Sequence, residues 1–565
     1  MVEALQEALR LPRSLCAVLA NRGFQDPEEA KDFLRPRLSH LHPPEDLPDL
    51  VPAVERLLSA MEAGEGILVH GDYDVDGMAG AALLTRWLRR LGARCIPFVP
   101  HRLRDGYDMG ARGLEAALDE GCSLLVSVDC GILAHDTVRR AATLGLDVIV
   151  TDHHAPGRGL PPARAVVNPR RADSSYPNPD LCGAGVAYKL CQGLARARGI
   201  REDALHPFLD LAGLATIADL VPLRGENRVL ARFGLRALDR STNPGLRALM
   251  ARAGISPPVS AGAVGFGLAP RLTALGRLGE AMDGLRLLLT DDLTEANRLA
   301  REAEEVNRLR QEADQEMLAQ AMDLLERTFD PERDFGLVLD GEGWHPGVVG
   351  IVASRIVERV HRPAILIGVD GDRGRGSARS IPEFDLLEGV RACGPLLERF
   401  GGHRQAAGME IRRERIPEFR DTFNSVAREA LAGEDLRPRL SVELEVSLEE
   451  MTPELHKYLA YLGPHGIGNA GPSFLLRNVT LARKARVVGT DHLKLRLKGD
   501  SGELDGIGFR LARRIPPGSL GEGPVDVVFQ LTENEYRGKR HLQARIKDIR
   551  APASSDSGVR VEGGV

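Results

Sequence analysis

An α/β fold is predicted: a parallel-sheet domain, joined by one long helix to a smaller α/β domain, followed by a small β-barrel. Three observations predict it. Strand-like runs at 67–69 (ILV), 123–128 (SLLVSV) and 148–150 (VIV) alternate with helix-period stretches between residues 64 and 223, the pattern of βαβ units around a buried parallel sheet. From Asp292 to about Leu325, apolar residues recur every three or four positions opposite a face dense in Glu and Arg, which reads as one long helix capped by Asp292. Beyond residue 436, alternation replaces helical spacing at 440–446, 486–488, 492–497, 525–531 and 542–549. Short strands separated by turns suit a small antiparallel barrel of the OB type.

The 565 residues exceed one domain, and 43% hydrophobic with 27% charged residues is an ordinary composition for a soluble protein. No apolar run is long enough to span a membrane. The first residues, MVEALQEALRLPRSL, mix acidic and basic groups and lack the apolar core of a signal peptide. Seven cysteines are scattered without a CxxC pair, which argues against a zinc site and a disulfide framework and for a reducing cytoplasm. The net charge of −6 alone argues mildly against nucleic acid, but it hides local patches. Residues 477–498 hold seven Lys/Arg against one acid, and 537–550 hold six against one.

In chain order, residues 1–55 read as a helical extension, with Asp26 and Pro27 opening one helix. Residues 56–290 form the parallel-sheet domain. Its first strand runs into Asp72, Asp74 and Asp76, then Gly77 and Gly80, with a helical pattern over 81–91. Three alternate aspartates repel one another, so this is either an acidic surface turn or a cation site of the oxygen-rich kind that suits Mg²⁺ or Mn²⁺. The second strand ends at Asp129, the third at Asp152-His153-His154, and the helix-like run 208–220 ends near Asp219. Acidic and imidazole groups at strand ends on one sheet edge are where open α/β sheets place ligands. Asp74, Asp76, Asp129, His153 and Asp219 are therefore candidates for one shared site, whose cations would activate water and neutralise a phosphate.

Residues 291–330 form the connecting helix, 331–435 the smaller α/β domain, 436–550 the barrel and 551–565 a disordered tail. In the smaller domain, 344–350, 376–380 and 401–403 read as three Gly-rich turns whose backbone N–H groups would cradle phosphate. In the barrel, Phe474 and Phe509 are expected in the core, and Tyr536 on the surface as a base-stacking side chain.

The motifs DYDVDG (72–77), VDCGI (128–132), TDHH (151–154) and TIADLVPLRGENR (216–228) together resemble the DHH phosphoesterase superfamily, and 344–350, 376–380 and 401–403 resemble its DHHA1 domain. The order of motifs, with a C-terminal OB barrel, is similar to the family's single-strand-specific bacterial exonucleases and spans almost the whole chain. The resemblance implies two Mn²⁺ ions, with Mg²⁺ as the alternative, held by Asp74, Asp76, Asp129, His153 and Asp219; His70 occupies a position where some branches carry a further ligand. It implies catalytic roles for Asp76, His154 and Asp152, with His154 beside the scissile phosphate. It implies substrate contacts from Arg102, Tyr107, Arg277, Ser377, Arg379 and His403, and DNA contacts from Lys494, Arg496 and Tyr536 on the barrel. The implied activity is 5′-to-3′ hydrolysis of single-stranded DNA in recombination and repair. The implied partners are single-stranded DNA, a single-strand-binding protein and a RecQ-type helicase. Three positions depart from the family pattern: Asp108 stands where the exonuclease branch has glycine, and Thr273 and Leu275 replace residues of PRLNAAGR. Two rivals remain, a DHH hydrolase of small phosphodiesters and a non-catalytic scaffold; the basic barrel argues against the first and the full ligand set against the second.

Overall fold

The structure is a computed structural model. It describes all residues except 103, 107, 501, 522, 537, 538 and 552–565, and for 536 and 539 the backbone alone. The tail expected at 551–565 lies outside the described residues apart from Ala551. Among the described residues, no helix is long and apolar enough to cross a membrane.

The first sheet is wholly parallel, in the order β2-β1-β3-β4-β5. Its strands are β1 Gly66–Gly71, β2 Arg94–Phe98, β3 Cys122–Val128, β4 Asp147–Thr151 and β5 Ala165–Val167. The three central strands are the apolar runs of the sequence; β2, with its polar edge positions, and the three-residue β5 carry too little pattern to stand out. Register matters here: Gly71 pairs with Val128, and Val128 with Thr151. The next residues, Asp72, Asp129 and Asp152, therefore leave the sheet at one level of one edge. The helix after β1 begins at Val75, earlier than the expected 81–91, because Asp74 caps it and accepts from Asp76 N–H at 2.9 Å and Gly77 N–H at 3.0 Å. Only glycine fits at 77, since a Cβ there would collide with the Asp72 backbone.

The connecting helix Leu293–Thr328 is 36 residues, about 54 Å long at 1.5 Å per residue. Asp292 caps it, accepting from Thr294 and Glu295 N–H. Beyond it lies a mixed sheet, β6-β7-β8-β10-β9, built from β6 Leu337–Glu342, β7 Ala364–Asp370, β8 Arg373–Arg379, β9 Leu397–His403 and β10 Ala406–Arg412. This corrects two of the three Gly-rich turns. Gly376 and Ser377 lie inside β8, paired on both sides, and Gly401 and Gly402 lie in β9. The N–H and C=O groups of β8 serve the ladders, so its side chains are what it can offer to a ligand.

The third sheet has the order β11-β12-β16-β17-β15-β14-β13, and a further β12–β14 pairing closes it into a barrel. Its strands are β11 Leu444–Glu445, β12 Phe474–Leu481, β13 Arg486–Val488, β14 His492–Lys498, β15 Glu503–Gly508, β16 Val525–Tyr536 and β17 Lys539–Arg550. Two pairs, β11–β12 and β15–β17, are parallel, so the barrel is not purely antiparallel. The strand expected at 440–446 shrinks to the two residues of β11. The N-terminal extension packs here: Leu5, Leu15, Leu19 and Leu34 share one core with Phe474 and Phe529.

Arg228 locks the barrel's lead-in and the extension to the first domain. Its buried guanidinium donates to the carbonyls of Phe33 at 2.7 Å, Tyr461 at 2.9 Å, Leu462 at 2.9 Å and Gly463 at 2.8 Å, and stacks on the Phe33 ring at 3.9 Å. Burial, then the charges of Arg232 and Arg22, pulls its pKa down to about 9. Arg228→Met strips buried carbonyls of a donor and is expected to destabilise the protein by about 2–4 kcal/mol in denaturant unfolding. A loss below about 0.5 kcal/mol, the range of ordinary surface changes, contradicts this role.

Candidate metal centre and substrate cleft

Four segments deliver the acidic cluster. Asp74 and Asp76 come from the first turn of the helix Val75–Arg90, Asp129 from the end of β3, His153 from the end of β4, and Asp219 from the C-cap of the helix Leu209–Ala218. Asp76 is buried and accepts from Gly183 N–H at 2.6 Å and Ala184 N–H at 2.8 Å, at the start of the helix Gly183–Ala197. That helix terminus favours the carboxylate. Asp129 is left-handed, with φ 66°.

His153 stands among three carboxylates. Its Nε2 is 3.0 Å from Asp129 Oδ1, 3.7 Å from Asp219 Oδ2 and 3.8 Å from Asp76 Oδ2. Yet among the described residues neither ring nitrogen has a hydrogen-bond partner, and Asp129 Oδ1 and Asp72 Oδ1 have none either. Three overlapping groups place their ligand atoms within 4.8 Å of one another: Asp76, His153 and Asp219; Asp129, His153 and His154; Asp72, Asp74 and Asp129. The structure thus brings together every residue of the expected ligand set and adds Asp72, which the sequence showed in DYDVD but the motif comparison passed over. His70 is not in these groups. Its Nδ1 faces the Cys130 thiol at 3.6 Å, its ring packs on Phe98, and burial lowers its pKa to about 4.

The electrostatics match a site built around a cation. Burial and the Asp74 charge push Asp76 up to about 7, and burial with Asp76 and Asp74 pushes Asp219 to about 9. Asp129 and Asp72 are likewise raised well above the carboxylate range by burial and their acidic neighbours. Burial, then the His154 charge, lowers His153 to about 3, which keeps its imidazole neutral and able to ligate. Oxygen donors with one or two imidazoles, several of them orphaned and buried, fit hard or borderline divalent cations.

Asp152 faces another way. It accepts from His154 Nδ1 at 2.8 Å and from the N–H groups of His153, His154 and Ile132. Burial would raise Asp152, but these bonds hold it below the usual range. Burial also opposes the His154 imidazolium, but the Asp152 bond and charge, with Asp219 and Asp74, outweigh it and lift His154 to about 9.

Opposite the acids stands a cationic wall. Arg277 donates to Gly347 O at 3.0 Å, and its buried Nε has no partner among the described residues. Burial and the charges of Arg102, Arg379 and Arg310 pull it down to about 10. Arg379 donates to Ser377 Oγ at 3.1 Å, and Arg102 lies over the Tyr73 ring at 5.3 Å. His403 ends β9, and burial, then the Arg379 and His154 charges, lowers its pKa. Tyr107 lies outside the described residues.

A groove of about 480 Å³ runs from this cleft to the 465–467 segment ahead of the barrel. Its wall carries Leu220 (65% exposed, φ 60°), Phe266 (90%) and Ile467 (52%), with Arg277 and Arg310 beside them. Three exposed apolar side chains gathered on one groove make it a candidate binding surface. Sequence patterning missed them because exposure in a loop or a π-turn leaves no periodicity.

On the barrel, Phe474 is buried as expected, but Phe509 is corrected: it is 52% exposed, edge-on to His492 at 5.3 Å and under Arg545 at 5.4 Å. It follows β15, where the alternation that buried the strand has ended. Arg496 pairs with Asp505 and Glu503, and Arg477 with Glu445 and Asp526, so acids from neighbouring strands offset part of the basic patch. Lys494 lies on β14; the Tyr536 side chain lies outside the described residues.

Family models match three stretches: the DHH family N-terminal domain at 66–218, the DHHA1 domain at 334–429 and the RecJ OB domain at 442–548. The single-stranded-DNA-specific exonuclease RecJ of Bacillus subtilis is 37% identical over 97% of this chain and 69% of its own length. The crystal structure of RecJ in complex with Mn²⁺ from Thermus thermophilus superposes with a TM-score of 0.84 at 35% identity, covering 99% of this chain and 79% of that one. The corresponding Mg²⁺ complex gives 0.78 at 32%, over 99% and 78%.

The raised pKa values fix the response of the metal-free protein to pH. Asp219 and Asp76 bind protons more readily folded than at the ordinary 3.8, and His154 more readily than at 6.5. Their protonated forms therefore favour the fold, and the melting temperature in chelator should rise as pH falls from about 8.5 to about 7.5, above the ordinary 6.5 at which the unfolded chain begins to protonate His153 and His70 and their lowered folded pKa starts to cost stability. Mn²⁺ should raise the melting temperature and flatten this dependence. A metal-free melting temperature that is flat or falls over this window contradicts the site electrostatics.

Proposed function

Because the chain belongs to the RecJ family of single-stranded-DNA-specific exonucleases, we propose that the Asp–His cluster is its hydrolytic centre and the arginine wall its phosphate clamp. The protein is a divalent-metal-dependent exonuclease of single-stranded DNA. Asp74, Asp76, Asp129, His153 and Asp219, with Asp72 beside them, would hold two Mn²⁺, or Mg²⁺ in their place. The overlapping ligand groups and the orphaned His153 and Asp129 atoms support this. When bound, such ions neutralise the carboxylates and supply an activated water for in-line attack on phosphorus.

The chain's own groups do the rest. Arg102, Arg277 and Arg379, with Ser377 and His403, hold the phosphate; three guanidiniums in one cleft otherwise repel, as the lowered Arg277 pKa records. Asp152 fixes the ring of His154 and keeps it protonated near neutral pH, so that it can donate to the oxygen where charge develops. Unpaired bases would lie along Leu220, Phe266 and Ile467, apolar side chains that duplex stacking would deny to them. Phe509, Arg545 and Lys494 extend the contact onto the barrel. The 5′-to-3′ direction, the role in recombination and repair, and partnership with a single-strand-binding protein and a RecQ-type helicase are carried over from the family resemblance. Seven buried, unpaired cysteines support a reducing, cytoplasmic setting.

The observation that carries the reading is the convergence of buried acids and His153 opposite the arginine wall. It is tested by degradation of end-labelled single- and double-stranded DNA with Mn²⁺. Wild type should release the 5′ label from single strands only. Asp76→Ala and His153→Ala should abolish this, and His154→Ala should lower kcat about 10²–10⁴-fold. Full activity in either ligand variant, or equal attack on duplex, contradicts it. Phe266→Ala should weaken binding of long single strands about 5- to 100-fold, the range for one stacked base. Unchanged affinity removes the groove from the strand's path.

A further inference from the structure

We infer that Asp108 is a positioning residue that clamps the metal-binding turn 129–132 from the arginine-bearing loop 100–110, and so sets the divalent-cation affinity of the site. The inference rests on the metal reading above and concerns a position where this chain departs from the glycine of the family pattern.

The turn that presents Asp129 is conformationally costly. Asp129 has φ 66° and Gly131 φ 105°, so a non-glycine residue sits in the left-handed region beside a glycine that also needs it. Such a backbone persists only where the surroundings hold it. Four contacts do so. Asp129 N–H donates to Thr151 O at 3.0 Å, Ser127 Oγ donates to Cys130 O at 2.7 Å, and Ile132 N–H donates to Asp152 Oδ2 at 3.0 Å. Those three partners belong to β3, β4 and the residue after β4. The fourth comes from a different segment: Gly131 N–H donates to Asp108 Oδ1 at 2.7 Å.

Asp108 is itself left-handed, φ 73°, and its Oδ1 also accepts from Met109 N–H at 2.8 Å. Glycine would meet the conformational demand at 108 at lower cost. What aspartate adds is the acceptor for Gly131. The same loop reaches the cluster from its other end, where Arg102 lies over Tyr73, between Asp72 and Asp74. One loop thus holds both the turn of a metal ligand and a phosphate-facing arginine. Removing the Asp108 acceptor leaves Gly131 N–H unpaired and frees the turn to relax, which displaces the Asp129 carboxylate.

Calorimetric titration of the full-length chain with Mn²⁺ tests this on wild type, Asp108→Asn and Asp108→Gly. Loss of a group that orients a ligand typically weakens metal binding 10–100-fold, so Asp108→Gly should bind Mn²⁺ at least about 10-fold more weakly. Its kcat should fall at limiting Mn²⁺ and recover when Mn²⁺ is raised, a rescue that a general folding defect would not show. Asp108→Asn keeps an Oδ1 acceptor and tolerates the left-handed backbone, and should stay near wild type. Wild-type affinity in Asp108→Gly overturns the inference, and so does an equal loss in Asp108→Asn, which would make the charge rather than the hydrogen bond responsible. Should Asp108→Gly not fold, hydrogen exchange of the Gly131 amide in wild type decides: protection is expected, and exchange at the free-peptide rate overturns the clamp. A wild type that binds no Mn²⁺ sinks the metal reading itself, whereas wild-type binding with an unaffected glycine variant sinks only the role of Asp108.

Discussion

Mutual repulsion among buried carboxylates is the constraint on which the rest of this structure depends. Asp72, Asp74, Asp76, Asp129 and Asp219 converge around one neutral imidazole, and burial, then the charges of their acidic neighbours, raises Asp76 to about 7 and Asp219 to about 9. Charges this close in a water-poor site interact by several kcal/mol even at a generous effective dielectric. The fold answers only in part. Helix N-termini satisfy Asp74 and Asp76, while His153, Asp129 and Asp72 keep atoms with no partner among the described residues. In the proposed reading, a divalent cation would complete what the backbone leaves open.

The complementary charge is set across the cleft rather than beside the acids, and this separation is the work of the long helix. Leu293–Thr328 carries the second α/β unit to where Ser377, Arg379 and Gly347 face Arg277 and Arg102. The helix is tied along its middle turns, by Arg271 of the first domain to Glu304 and by Arg355 of the second to the buried Asp314. Had Arg277 or Arg379 stood within the acidic cluster they would have neutralised it and closed the metal site. Held opposite, they are placed to attract a phosphate against the proposed cations, with the apolar groove beside them proposed to take the bases of a strand with no partner.

The central site was legible in the sequence because its residues are tied to strand ends. An apolar run followed at once by Asp or His fixes both an element and a position on it, and the parallel register then aligns Asp72, Asp129 and Asp152. The long helix was equally plain, since its period and cap are local. What escaped depended on tertiary neighbours. Gly376 and Gly401 look like turn residues until β7 and β10 pair with their strands. Phe509 looks like core until the strand before it stops short. Asp72 was visible, but its membership of the cluster needed coordinates. The Asp108 clamp spans 23 residues and leaves no periodic trace.

The claim that cations complete this centre is tested most directly by anomalous scattering at the manganese edge from Mn²⁺-soaked crystals. The account predicts peaks among the carboxylates of Asp74, Asp76, Asp129 and Asp219 and the His153 ring, and their disappearance in Asp76→Asn. Peaks elsewhere with none in this cluster, or an ordered cluster that stays empty at saturating Mn²⁺, would contradict it.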